Sequence, residues 1–224
     1  MSIEFRELRT ADELRPLPVL ERLVWGGEFE MVSVNVLVAT IDEGGMAIGA
    51  FNGGELVGAV YGFATRDPEV LHSHYLAVHP DHRGAGLGER LKRLQAEWCV
   101  AHGYTAMRWT FDPLQLANAH LNLNKLGAVG IDYRIDLYGS LGGINGSLAS
   151  DRLVVRWDLV EPPARGGEEC RVTVPDLTTR DIETSSSRAT AARLVLREEL
   201  AGCMTKGWRV VAVDPRERVY TLAR

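Results

Sequence analysis

Ile3, Phe5 and Leu8 alternate with charged neighbours at the start of the chain, a spacing that predicts a short first strand. Thr10 or Asp12 follows as an N-cap for a helix carrying Leu14 to Val24, made irregular by Pro16 and Pro18. The Val-rich segment Met31 to Ile41, with Gly44 and Gly45 behind it, reads as a helix with a glycine stop. Ala47 to Phe51 and Leu56 to Phe63 flank Asn52-Gly53-Gly54, which predicts an antiparallel hairpin. Residues 71 to 78 form the next strand, stopped at His79-Pro80 because proline has no amide donor and disfavours helix before it. Leu87, Leu91, Leu94 and Trp98 then recur at helical spacing with Glu89, Arg90, Lys92, Arg93 and Gln95 between them, an amphipathic helix capped by Gly103. Met107, Trp109 and Phe111 alternate as a strand, and a short helix from about Leu116 to Leu126 ends at Gly127. A glycine- and serine-rich loop, 139 to 150, precedes a strand with Leu153, Val155, Trp157 and Leu159. Past Glu161 come a strand around Val172, a helix from Ala189 to Met204, and a hairpin with arms Trp208 to Val213 and Arg218 to Leu222.

At roughly 150 residues per domain, 224 residues amount to one domain with an extension. Hydrophobic residues at 46% and charged residues at 25% exclude disorder and a disulfide scaffold. The net charge of -5 removes the simplest electrostatic case for nucleic acid or an anionic membrane as partner, leaving small molecules and proteins. No run approaches the roughly 18 apolar residues of a membrane span, and charges interrupt the first fifteen positions, so a cytoplasmic location is expected. Cys99, Cys170 and Cys203 are widely spaced, and Asp132, Asp136, Asp151 and Asp158 lack ligand spacing, so no metal is expected.

The segment His79-Pro80-Asp81-His82-Arg83-Gly84-Ala85-Gly86-Leu87-Gly88 is the most informative in the chain. Its glycines let successive amides converge, and the helix start adds N–H groups and a positive dipole end, which together accommodate an anionic phosphate. Arg83 adds a charge-assisted donor. A Walker loop would need Gly-Lys before Ser or Thr, and a dinucleotide fingerprint would need glycine where Glu89 stands, so both fail. A turn that merely joins strand to helix is the competing reading.

Leu76-Ala77-Val78-His79-Pro80 followed by Arg83-x-x-Gly86-x-Gly88 resembles the acetyl-CoA signature of the GNAT acetyltransferase superfamily. Asn118-Ala119 through Lys125-Leu126-Gly127-Ala128 resembles its later helix. The resemblance covers somewhat over half the chain. It implies an α/β fold with a mixed, largely antiparallel sheet flanked by helices, and acetyl-CoA as co-substrate. It also implies cofactor contacts at Leu76, Val78, Arg83, Gly84, Gly86, Gly88 and Glu89. Asn118 is either a contact to the CoA arm or the N-cap of its helix.

Acetyl transfer to an amine needs a group to take a proton, because an alkyl amine has a pKa of roughly 10. His72 and His74 precede the turn, and period-two alternation puts both on one strand face with Leu76 and Val78. The run resembles the strand on which arylalkylamine acetyltransferases carry two histidines used in proton removal. Satisfied polar groups on a sheet surface are the bland alternative. The tyrosine with which many members protonate the CoA sulfur is replaced by Leu123. Tyr133, His120, Tyr138 and Tyr75 are the substitutes, although a thiol near pKa 8.5 can leave without a dedicated acid.

These readings assign residues 1–160 to a catalytic domain, 161–169 to a linker and 170–224 to an extension packed on that domain or on a partner. The expected activity is direct N-acetyl transfer to a small-molecule or protein amine. A non-catalytic CoA-binding module and a longer-acyl transferase are the alternatives. The arm 208 to 213 offers an edge for a homodimer.

Overall fold

A computed structural model describes residues 3–26, 31–139, 148–161 and 166–224. The middle of the expected loop, 140–147, and residues 162–165 of the expected linker lie outside the described residues. The chain divides into two compact units, residues 1–108 and 109–224.

In the first unit β1 (Glu4–Glu7) leads into α1 (Ala11–Leu14), which Thr10 and Glu13 close with a reciprocal capping box. Pro16 and Pro18 split the expected single helix: a new helix, α2 (Leu17–Trp25), starts at Pro16, where a missing amide donor costs nothing. The Val-rich segment is helical, α3 (Val34–Asp42), capped by the Ser33 hydroxyl. The hairpin β2 (Met46–Asn52) and β3 (Glu55–Ala64) turns at Gly53 and Gly54, both at positive φ. Strand β4 (Val70–Val78), a short 3-10 turn (Pro80–His82), α4 (Leu87–Ala101) and the start of β5 (Ala106–Phe111) follow.

Strands β1 to β4 pair antiparallel in chain order. Strand β4 pairs parallel with β5 only at Val70, Leu71 and His72, against Ala106, Met107 and Arg108. From Ser73 onward β4 has its ladder partners on β3 within this unit. One sheet face buries Leu14, Leu17, Leu20 and Leu37 against Ala47, Ala59, Tyr61, Tyr75 and Ala77, each leucine contributing about 1.5–3 kcal/mol.

Helix α4 covers the other face. A Cβ on Gly58 would stand 3.0 Å from a Leu91 methyl and 3.3 Å from a Leu87 methyl, so any side chain there would have to push these two leucines of the helix aside. The buried stripe of α4 is Leu87, Leu91, Lys92, Gln95 and Cys99, while Leu94 and Trp98 are half-buried. The expected apolar stripe is therefore rotated to take in two polar residues, which β4 requires for Ser73.

In the second unit α5 (Leu116–Ala119) passes into a wider π-type turn (His120–Lys125). Strands β6 (Val129–Arg134), β7 (Arg152–Asp158) and β8 (Glu169–Thr173) precede α6 (Thr179–Glu183), α7 (Ser187–Met204), β9 (Arg209–Asp214) and β10 (Val219–Ala223). All pairs are antiparallel in the order β7-β6-β9-β10-β8. Strand β6 lies against β9 because Gly130 has no side chain: a Cβ there would meet Val210 Cβ at 2.8 Å. The arm expected to offer a dimer edge, 208 to 213, is thus an interior strand flanked by β6 and β10. That reason for a homodimer falls. Leu196 and Leu200 of α7 and Leu153, Val155, Val210 and Tyr220 of the strands are fully buried.

Candidate active site

Strand β4 carries a bulge that decides where its side chains point. Tyr61 pairs with Tyr75 but Gly62 pairs with Ser73, so β4 has one residue more than β3 at this point. Ser73 faces α4, accepting from Lys92 Nζ at 2.8 Å and donating to Gln95 Oε1 at 2.7 Å. Leu76 and Val78 also face α4, 3.3 and 3.7 Å from where a Cβ on Gly88 would be. His72 and His74 point the other way, their rings 6.0 Å apart and both over Phe63, at 4.8 and 5.5 Å. Alternation alone places the histidines on the face of Leu76 and Val78, and this is corrected: the extra residue inverts the face between His74 and Leu76.

The histidines stand in an aromatic field. Tyr61 lies 5.8 Å from His74 and 5.5 Å from Tyr75, and Trp25 meets Tyr75 edge-on at 5.7 Å. Burial, then repulsion from the protonated forms of His74, Arg108 and Lys92, bring His72 down to about 4. Burial also lowers His74. Both rings are therefore neutral at pH 7 and free to accept a proton.

Two polar groups of this neighbourhood escaped the sequence reading. Glu21 is 1% exposed; burial pushes its carboxyl up to about 7, while the Val32 N–H, which donates to Oε2 at 3.1 Å, pulls it back. Lys92 is 3% exposed, and burial brings it down to about 7. The available signal was a charged residue inside a buried helical stripe: Glu21 among Leu17, Leu20 and Val24, and Lys92 beside Leu91.

The glycine turn lies at the far end of β4. Gly84 and Gly86 have φ of 80° and 79°, with open space where a Cβ would go, so it is the backbone conformation that calls for glycine. Gly86 is the cap residue of α4 and brings no side-chain acceptor, and Arg90 N–H is the first to bond within the helix, to Gly86 C=O at 3.0 Å. The amides of Leu87 and Gly88 precede that bond, at the positive end of the helix dipole. Arg83 is exposed, its Nε donating to Val78 C=O at 3.2 Å. The Glu89 carboxylate, which would repel a phosphate, is engaged by Arg93 at 2.9 Å. A cavity of about 250 Å³ lined by Ile3, Phe5, His82, Gly86, Leu87 and Arg90 adjoins the turn.

The first unit thus brings together His72, His74, Leu76, Val78, Arg83, Gly84, Gly86, Gly88 and Glu89. Asn118 and Tyr133 belong to the second unit. Asn118 is exposed inside α5, whose cap position is Gln115, so the N-cap reading falls. Its Oδ1 accepts from Asn122 Nδ2 at 3.1 Å, and Asn122 is buried, its own Oδ1 accepting from Trp109 Nε1 at 3.2 Å. Tyr133 donates to Asp151 Oδ2 at 2.8 Å; burial and that carboxylate hold its hydroxyl far above the ordinary phenol range. Leu123 is fully buried. Cys99 is fully buried too, and burial pushes its thiol up to about 12, which disqualifies it as a nucleophile.

No group of three or more His, Cys, Asp or Glu residues able to hold a metal is present among the described residues, nor is a helix long and apolar enough to cross a membrane. No curated protein matches the chain. Solved structures share its fold at low identity. The ribosomal-protein-S18-alanine N-acetyltransferase of Escherichia coli superposes with a TM-score of 0.59 at 16% identity, over 75% of this chain and 97% of its own. An acetyltransferase from Salmonella typhimurium, solved with its cofactor acetyl-CoA, gives 0.57 at 15%, over 74% and 99%. A phosphinothricin acetyltransferase from Sinorhizobium meliloti, in complex with acetyl-CoA, gives 0.57 at 18%, over 73% and 94%. The acetyltransferase (GNAT) family model matches residues 10–127, just over half of the sequence and the whole stretch from the Thr10 cap through the glycine turn to Gly127. The chain therefore belongs to the GNAT acetyltransferase family.

Proposed function

We propose that the protein transfers an acetyl group from acetyl-CoA directly to an amine of a small molecule or protein, with His72 and His74 taking the proton. The observation that carries this reading is one strand with two functional ends. The phosphate turn follows its C-terminal end, and the bulge presents two neutral imidazoles near its middle. From His74 to Val78 the strand runs about 13 Å at roughly 3.3 Å per residue, backbone along which an extended pantetheine arm can pair.

In this reading the pyrophosphate sits on the Leu87 and Gly88 amides beside Arg83, and Leu76 and Val78 pair with the arm. The amine nitrogen attacks the thioester carbon, its proton passes to an imidazole, and the C–S bond breaks to release thiolate. That thiolate is a leaving group of pKa about 8.5, so no tyrosine is needed to protonate it. Asn118 and Tyr133 carry no step. The Tyr133 proton is already committed to Asp151.

Incubation with acetyl-CoA and a panel of alkyl, aryl and peptide amines should release free thiol with at least one of them. Thiol release with none, while acetyl-CoA binds, would overturn this reading, and the same panel with longer acyl-CoAs would then separate a longer-acyl transferase from a non-catalytic module. Gly86→Ala should weaken acetyl-CoA binding about tenfold with little loss of fold, because a Cβ at φ 79° costs roughly 1–2 kcal/mol and shifts the amides of the turn. Calorimetric titration reads the affinity, and unchanged binding would remove the turn from the cofactor site.

A further inference from the structure

The second unit contains a charge cluster that acetyl transfer does not use. Arg193 of α7 is 3% exposed and grips Asp112 with both terminal nitrogens, at 2.6 and 2.7 Å. Arg152, also buried, stands 3.8 Å from Asp112. Arg197, one turn beyond Arg193, donates to both oxygens of the fully buried Asp151, at 2.8 and 2.9 Å. Arg152, Arg193 and Arg197 thus face Asp112 and Asp151, a surplus of one positive charge. The next carboxylate, Asp136, is exposed and accepts from Ser150.

A cavity of about 150 Å³ opens on this cluster, with Arg193 and Arg197 on one side, Ser185 and Thr190 beside them, and Leu148 and Leu194 as apolar wall. The Nε of Arg193 is buried with no acceptor among the described residues. A buried guanidinium N–H without an acceptor has lost its hydration with nothing in exchange, and an incoming oxygen would satisfy it.

We propose that this cavity binds a small organic carboxylate, its oxygens held by Arg193 and Arg197 and its alkyl part against Leu148 and Leu194. A monoanion balances the single surplus charge. A phosphate dianion over-compensates it and leaves the leucines against water. The residues that line the cavity lie within 148–197, and the site does not depend on the acetyl-transfer reading.

The test is an amide-resolved NMR titration of the full chain with sodium butyrate and, in a parallel sample of equal ionic strength, inorganic phosphate. Butyrate should give saturable shifts at Ser185, Thr190 and Leu194. Arg197→Gln should weaken binding at least tenfold. Leu194→Glu, at a position 53% exposed and hence harmless to the fold, should do the same by setting a carboxylate at the mouth. Melting curves check that both variants are folded. Absence of saturable butyrate shifts, tighter phosphate than butyrate binding, or equal butyrate affinity in wild type and Leu194→Glu would each overturn the proposal.

Discussion

Replacing His72 and His74 together by alanine should lower kcat by about 10²- to 10⁴-fold while acetyl-CoA binding stays as it was, because general-base assistance is lost and the glycine turn is untouched. The two rings contribute unequally. His72 is brought down to about 4, which keeps it neutral but makes it a weak base. His74 is lowered by burial alone and its side chain reaches solvent. A base works best when its pKa lies near the working pH. His74→Ala should therefore cost more than His72→Ala.

The pH profile separates this role from a packing role. An ordinary histidine loses its basic form near pH 6.5, whereas these two keep it further into acid, so the acid limb of kcat/KM should fall below 6.5. The same shift acts on stability. The folded-state pKa of His72 is depressed below the unfolded value, so its contribution is complete above about 6.5 and is lost as pH falls from there through about 4. An unchanged pH-rate profile in the double variant would end the proposed base role, whatever the drop in turnover.

Features written locally were legible in the sequence. The Asn52-Gly53-Gly54 hairpin, the glycine turn and the length of α4 depend on residues within a few positions of one another, and each stands where its pattern puts it. The bulge at His74 is different. Nothing in His72-Ser73-His74-Tyr75 marks an extra residue, since it is fixed by partners elsewhere: Lys92 and Gln95, which hold Ser73 toward α4, and Tyr61, which holds Tyr75 in the opposite core. The sequence thus named the two histidines but put them on the wrong face. Strand β6 escaped because its alternation is broken at Gly130, a residue required by the approach of Val210 eighty positions later. Glu21 and Lys92 escaped because a charge within an apolar stripe reads as solvated until the packing is seen.

Asp112→Ala should destabilise the protein by about 3–5 kcal/mol, the usual consequence of leaving a buried charge without its counterion. Asp112 follows the last residue of β5, Phe111, and precedes Pro113. In the fold its carboxylate accepts the Leu114 N–H at 2.9 Å and both terminal nitrogens of Arg193, 81 residues away. Deleting it abandons a guanidinium that is 3% exposed and cannot recover its hydration without opening α7. Out of a total of roughly 5–15 kcal/mol this is about a fifth or more, and at about 2–4 °C per kcal/mol for a chain of this size the melting temperature should drop by about 6–20 °C. Tyr133→Phe removes one hydrogen bond to Asp151 but leaves Arg197 in place, and should cost only about 1 kcal/mol. The distinguishing measurement is the double variant Asp112→Ala with Arg193→Met. An apolar chain in place of the stranded guanidinium should restore most of the loss, since buried ion pairs often gain little over well-packed hydrophobic replacements. A fall of less than about 3 °C in Asp112→Ala, or no recovery in the double variant, would mean that the pair is not the tie between α7 and the end of β5 that its geometry describes.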